Sequence, residues 1–294
     1  MGANPRRNPT GKQVTPERKY ATGRALRTAL EERLKRIALE EGVDLQRLRR
    51  QVAFDRFLAR LFPRNRADWI LKGGYAMELR FQTARSTRDL DFAARTAQSI
   101  RGGGLLKQLQ DAGATDAGEF FRYRIGEPTR DLDGAPYGGA RYPVEAIMDG
   151  RTFVKFHLDV GIGDVVMDPP EQARMRDWLG FAGIAPPAVP MIQREQQFAE
   201  KLHAYTLPRT TPNSRVRDLV DMVLLIQSGT LESDRVVQAL RATFGRRATH
   251  SVPEALIPPP EEWNSPFVRL AAECSLDVSV SEAFRIVTEF CAGL

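Results

Sequence analysis

Lysine is sparse in this 294-residue chain: it occurs only at Lys12, Lys19, Lys35, Lys72, Lys107, Lys155 and Lys201, and arginine supplies the rest of the 43 basic side chains. A lysine inside a polar motif is therefore informative, because its ammonium is a compact point charge that suits a phosphate oxygen. Cysteine is scarcer still. Cys274 and Cys291 stand apart, histidine is limited to His157, His203 and His250, and no metal-ligand spacing joins them, which argues against a structural zinc module. No apolar run approaches the ~20 residues needed to cross a bilayer. The first residues, MGANPRRNPTGKQVTPERK, are polar and basic without the apolar core of a signal peptide, so a cytoplasmic location is expected.

What the chain does contain is enough apolar surface, 42% of residues, for one large domain or two lobes. Its formal charge of +6 and pI near 9.5 favour an anionic partner such as nucleic acid. Residues 1–18 read as a disordered basic arm. From Lys19 to Phe62 the apolar spacing predicts two helices: Leu26, Leu30, Leu34 and Ile37 form one stripe, and Leu45, Leu48, Val52, Leu58 and Leu61 form another. The break falls near Gly42, and Pro63 closes the second. A helix is expected from Gln98 to Asp111, then strands over 120–125, 142–148 and 152–160, giving a mixed sheet after a βαβ-like opening. The Pro-rich stretch APPAVP reads as a hinge between residues 19–184, the core, and residues 185–294, a helical lobe. Helices are expected there from Gln193 to Tyr205, after an Asn213 cap, and over 234–244 and 281–290.

One stretch, Trp69 to Arg95, carries chemistry. A short apolar strand leads into Lys72-Gly73-Gly74, then an amphipathic segment, a basic turn with Ser86 and Thr87, and a strand bearing Asp89 and Asp91. Paired glycines before a helix allow close backbone approach, and the amides of a helix start attract phosphate. Pleating sends Asp89 and Asp91 to one face, where two carboxylates can share a hard divalent cation. Together these outline a nucleotidyl-transfer site. Alternation also sets Lys155, His157 and Asp159 on one strand face. Either Asp159 is a third carboxylate of the site, with Asp164 the fallback, or it lies on the exposed side of an edge strand. His157 and His203 read as packing residues.

Lys72-Gly73-Gly74, Asp89-Leu90-Asp91-Phe92, Lys201-Leu202-His203-Ala204 and Arg217-Asp218-Leu219-Val220-Asp221 together resemble the AbiEii/MenT-type nucleotidyltransferase toxins of type IV toxin–antitoxin and abortive-infection systems. The resemblance spans residues 66–226. It implies an α/β (α+β), two-lobed fold: a polymerase-β-like nucleotidyltransferase core with a mixed sheet, a helical N-terminal segment and a helical C-terminal lobe. It further implies a magnesium-dependent transfer of a nucleoside monophosphate from an NTP to an acceptor hydroxyl. Relatives suggest the tRNA 3′ end, with aminoacylation blocked, and a phage-defence setting with an antitoxin encoded nearby. Residue by residue, Asp89 and Asp91 would hold magnesium, and Asp159 would join them as a metal ligand if its strand face is the site face. Lys72, Gly73 and Gly74 would bind the triphosphate with Ser86, Thr87 and Arg217. Lys201 would contact phosphate and Asp218 would be the remaining catalytic acid; Glu200, Arg215 and Asp221 are left as supporting. Tyr75 stands where a small hydroxyl residue is common in the family. Two other functions fit the same residues: a nucleotidyltransferase acting on a protein or small molecule, and a nucleic-acid-binding or partner-binding protein without turnover.

Overall fold

The computed structural model describes residues 19–62, 69–94, 104–132 and 135–294. The basic arm, Pro63 and the expected helix start at Gln98 lie outside the described residues. Helix α1 (Gly23–Glu41) is capped by Thr22, whose side chain accepts from the Ala25 amide at 3.2 Å, and ends at Gly42, whose φ of 65° suits a residue without a Cβ. Asp44 caps α2 (Leu45–Leu61) in the same way, from the Arg47 amide at 2.8 Å. The stripe of Leu26, Leu30 and Leu34 is fully buried.

Strand β1 (Trp69–Lys72), helix α3 (Gly73–Arg80), strand β2 (Asp89–Ala94), helix α4 (Gly104–Ala114), strands β3 (Phe121–Ile125), β4 (Arg130–Asp131), β5 (Gly139–Met148), β6 (Arg151–Ile162), β7 (Glu171–Ala173) and β8 (Val189–Met191) follow. They build one mixed sheet in the order β3-β5-β6-β2-β1-β8-β7, with β4 on β5. β1 and β2 pair antiparallel, not as a parallel βαβ unit, because the turn after α3 delivers β2 at the end of the sheet where β1 stops. β6 lies between β5 and β2, so it is no edge strand. The Pro-rich stretch is not a free hinge either. Its last residues enter β8, which runs parallel to β1, and Val189 and Met191 are buried in the first core.

Alternation along β6 sorts its side chains. Phe156, Leu158 and Val160 pack toward α2, with the Phe54 and Phe156 rings 4.9 Å apart edge to face, while His157 and Asp159 take the other face. The helices α5 (Arg194–Thr206), α6 (Val216–Gln227), α7 (Ser233–Arg247), α8 (Asn264–Glu273) and α9 (Val280–Ala292) enclose a second core around Phe198, Leu219, Val223 and Phe267. Met77 and Ala84, from α3 and the turn after it, are part of that core and join it to the sheet. Helix α8 was not expected from sequence, since Pro266 interrupts its pattern. Pro266 falls in the first turn, where no intrahelical N–H bond is lost. Asn213 is not the cap of α6; Arg215 holds that place, and the Asn213 side chain instead accepts from the Arg215 amide at 3.0 Å.

The acids Glu119 and Asp55 are buried against the first core. Glu119 is fully buried between Arg56 and Arg60 of α2. Asp55 is 1% exposed and accepts the Tyr75 hydroxyl. Burial pushes the Asp55 carboxyl up to about 7, outweighing the Tyr75 bond that favours the charged form. A folded pKa above the unfolded value means the stabilisation is complete below about pH 4. It is lost as pH rises through about 7. Asp55→Asn removes the charge and keeps an acceptor for Tyr75. Thermal melts across pH should show the variant more stable than the parent at pH ~8, by on the order of 4 kcal/mol, with the gap closing toward pH ~4.

Candidate active site

Lys72 ends β1 and Gly73 begins α3 with a φ of 66°, a left-handed conformation that favours glycine. A Cβ at Gly73 would overlap the Asp91 carboxylate, and one at Gly74 would come within 2.6 Å of Thr87 Oγ1. The two glycines thus let β2 press against the start of α3, and the Gly74 amide donates to Asp91. The Gly73 carbonyl accepts from Gln197 Nε2 at 2.7 Å, which ties the turn to α5. Only Gly between strand and helix permits this contact. Tyr75, one residue on, sends its hydroxyl away from this turn to Asp55.

Strand register brings the charges together. Lys72 is opposite Asp91, Asp91 is opposite Asp159, and Asp159 is opposite Arg141, so cation, acid, acid and cation form one row across β1, β2, β6 and β5. Asp89 is opposite His157 in the next row. Arg141 grips Asp159 through two bonds, at 2.8 and 2.6 Å, and reaches Asp89 at 3.3 Å. Its bonds to Asp159 hold the guanidinium well above its usual range. His157 Nδ1 lies 3.2 Å from Asp89 Oδ1 and is 45% exposed, so it faces the site and is not a packing histidine. His203, in contrast, is buried beside Phe244.

Asp91 is the least compensated of the three acids. Burial, then the neighbouring Asp159 charge, pushes it up to about 6, against the pull of Lys72. No ion pair among the described residues neutralises it. Lys72 itself is bonded to Asp164 and lies 3.2 Å from Glu200. Burial pulls its ammonium down, but Glu200 and Asp164 outweigh that and hold it raised. Arg247 of α7 donates to the other Asp164 oxygen at 2.8 Å.

One residue along α5 from Glu200 stands a second cluster. Lys201 is buried, 2.5 Å from Asp221 and 3.4 Å from Asp218, and Arg85 binds both Asp221 oxygens at 3.1 and 2.8 Å. Asp221, fully buried, is the closer partner of Lys201, and Lys201 and Arg85 hold its carboxyl below the usual range despite burial. Ser86 and Thr87 brace the intervening turn. Ser86 Oγ accepts from Arg50 at 3.0 Å, its amide donates to Glu273 at 2.6 Å, and the buried Thr87 donates its amide to Glu78 at 2.6 Å. Arg217, next to Asp218 at the start of α6, is exposed and makes no ion pair among the described residues.

Sequence reasoning missed Arg141, Arg247 and Arg85 as site neighbours and undervalued His157, Glu200 and Asp221. Arg141 sits one residue before the strand expected from Tyr142, and extending that strand's alternation would have put it on a face with Pro143 and Glu145. Arg247 carries no local signal. Among the described residues, no group of three or more His, Cys, Asp or Glu side chains is arranged to hold a metal ion by itself. The donor set nevertheless fits magnesium. Asp89, Asp91 and Asp159 offer only hard oxygens, Asp91 is an under-compensated buried acid, and magnesium commonly uses one or two carboxylates together with water and substrate phosphate.

Solved structures of similar fold include MenT4, a nucleotidyltransferase toxin from Mycobacterium tuberculosis, at 18% identity and a TM-score of 0.55, over 88% of this chain and 93% of that one. They also include JHP933 from Helicobacter pylori, at 16% identity and a TM-score of 0.47, over 84% and 94%. No curated protein matches the chain. The model of the AbiEii nucleotidyl transferase toxins matches residues 56–277, most of the sequence including both charged clusters. The chain belongs to the AbiEii nucleotidyltransferase toxin family of type IV toxin–antitoxin systems.

Proposed function

We propose that this toxin transfers a nucleoside monophosphate from an NTP to the 3′ hydroxyl of tRNA, releasing pyrophosphate and blocking aminoacylation. The observation that carries the reading is the row Lys72–Asp91–Asp159–Arg141, joined through the Lys72–Glu200 pair to α5, which bears the second lysine, Lys201. Phosphoryl transfer asks the protein for position and charge more than for covalent help. Asp89, Asp91 and Asp159 would hold magnesium, which when bound supplies charge neutralisation at the phosphates. Lys72 and the Gly73–Gly74 backbone would seat the triphosphate. Lys201 would contact a phosphate while Asp221 and Asp218 keep it charged and oriented; burial alone would lower its ammonium, and these two acids raise it. Ser86 and Thr87 would act by shaping the turn that carries Asp89. Arg217, exposed, would meet substrate only at the mouth of the cleft. In this reading the sheet core and the helical lobe are the two jaws, and an antitoxin is the protein partner.

The tRNA acceptor draws support from charge. Arg50, Arg88, Arg124, Arg141 and Lys155 line one open groove together with Asp89 and His157. A backbone of phosphates laid along it would approach the carboxylates from the side opposite Lys72. Incubating the protein and magnesium with each α-labelled NTP and total tRNA should label tRNA from one or two of the four nucleotides. Asp91→Asn should abolish the label. Label appearing instead in protein from a cell lysate would replace the tRNA acceptor. With four arginine or lysine contacts to phosphate, tRNA affinity should fall on the order of 100-fold between about 50 and about 200 mM salt. Arg88→Ala with Arg124→Ala should flatten that slope, and a salt-insensitive affinity would count against the groove.

A further inference from the structure

Tyr137 is 62% exposed, whereas Tyr75, Tyr123, Tyr142 and Tyr205 are buried. It is exposed yet firmly placed. Its amide donates to the Ile162 carbonyl at 3.0 Å, and the Ile162 amide donates to Gly138 at 2.9 Å, which pins the segment to the end of β6. Gly163, with a φ of 85°, lies directly beneath the ring, and a Cβ there would run into it. The ring therefore rests on bare backbone with much of its surface open. Arg246 of α7 donates to the Tyr137 hydroxyl at 3.0 Å, with its guanidinium carbon 5.9 Å from the ring centre.

The position of this pair gives it meaning. Gly163 is four residues from Asp159, at most about 14 Å along the chain. It immediately precedes Asp164, the acid that holds Lys72 on one oxygen and Arg247 on the other. Between them, Gly161 stands opposite Ala93, and a Cβ there would meet the Asp164 carboxylate at 3.2 Å, so Asp164 folds back over the sheet between Asp159 and the ring. Lys72 and Arg247 thus meet on Asp164, the residue next to the glycine under the open ring, and Arg246 adjoins that ring. Aromatic rings and arginine guanidinium groups are the two surfaces on which a nucleobase stacks.

We propose that Tyr137, flanked by Arg246, is the platform on which the base of the incoming NTP stacks, while Lys72 and its neighbours take the phosphates. This rests on the nucleotidyl-transfer reading and adds a base contact that none of the motifs in the sequence carries. A ring face accepts every base, with the larger purines gaining more contact area, so this contact sets affinity without hydrogen-bond readout. The competing role for the pair is a plain clasp between the sheet and α7 through the hydroxyl.

Binding, not turnover, separates these. Isothermal titration of the intact protein with the four NTPs as non-hydrolysable α,β-methylene analogues, and with inorganic tripolyphosphate, reads the base and the phosphates separately. Tyr137→Ala should weaken NTP binding about 10-fold or more and leave tripolyphosphate unchanged, while Tyr137→Phe should stay within about twofold of the parent. Equal losses for the Phe and Ala variants would make the pair a clasp, and an equal loss for tripolyphosphate would make the effect general; either overturns the platform. Unchanged NTP affinity in Tyr137→Ala, with weaker binding of a single-stranded RNA ending in a free 3′ hydroxyl, would place the ring on the acceptor side and also overturn it. A parent protein that bound none of the NTPs would instead sink the nucleotidyl-transfer reading itself.

Discussion

The register of four neighbouring strands is the constraint on which the candidate site depends. β1 antiparallel to β2, β2 parallel to β6 and β6 antiparallel to β5 set Lys72, Asp91, Asp159 and Arg141 side by side. A slip of one residue in any of these pairings would send one charge to the face covered by α2 and break the row. The opposite face guards the register: Leu71, Phe92, Leu158 and Val160 are buried there, so the arrangement that hides these apolar groups is the one that aligns the charges.

Two like charges side by side are costly, and the molecule distributes the compensation unevenly. Asp159 receives a bidentate arginine and Asp89 shares it, whereas Asp91 receives an amide and remains under-compensated. Glycine at Gly73 and Gly74 makes that amide reachable. Among the described residues Asp91 thus carries its burial with an amide and no ion pair of its own. The fold pays for the arrangement with backbone freedom at two glycines and with a dense network of surrounding ion pairs.

That network also fastens the two halves of the chain. Arg85 to Asp221, Lys72 to Glu200 and Asp164 to Arg247 each join the sheet region to the helices after Ile192, and Met77 and Ala84 extend the second core into the first. The same groups that would meet phosphate therefore join the sheet region to the helices.

Much was legible in the linear sequence. The helical stripes of α1 and α2, the strand ending at Lys72, the paired glycines and the two acids of β2 all follow from spacing of three to four residues or of two, which is local physics. The motif set also carried the family. The misreadings fell where local pattern and long-range geometry part: Asn213 looked like a cap but Arg215 stands there, Pro266 hid α8, the end of the Pro-rich stretch enters β8, and His157 looked like packing but faces Asp89. By itself the sequence determined which chemistry is present, because Lys72, Asp89, Asp91 and Lys201 sit in recognisable local settings. Only the tertiary structure decided which groups act on one another. Arg141 reaches Asp159 and Asp89, Arg247 reaches Asp164 and Asp221 outcompetes Asp218 for Lys201. The two strand contacts depend on register and the Arg247 contact on how the helices dock. Even the nearby α5–α6 pairing that decides between Asp221 and Asp218 rests on helix orientation, which side-chain spacing alone does not encode.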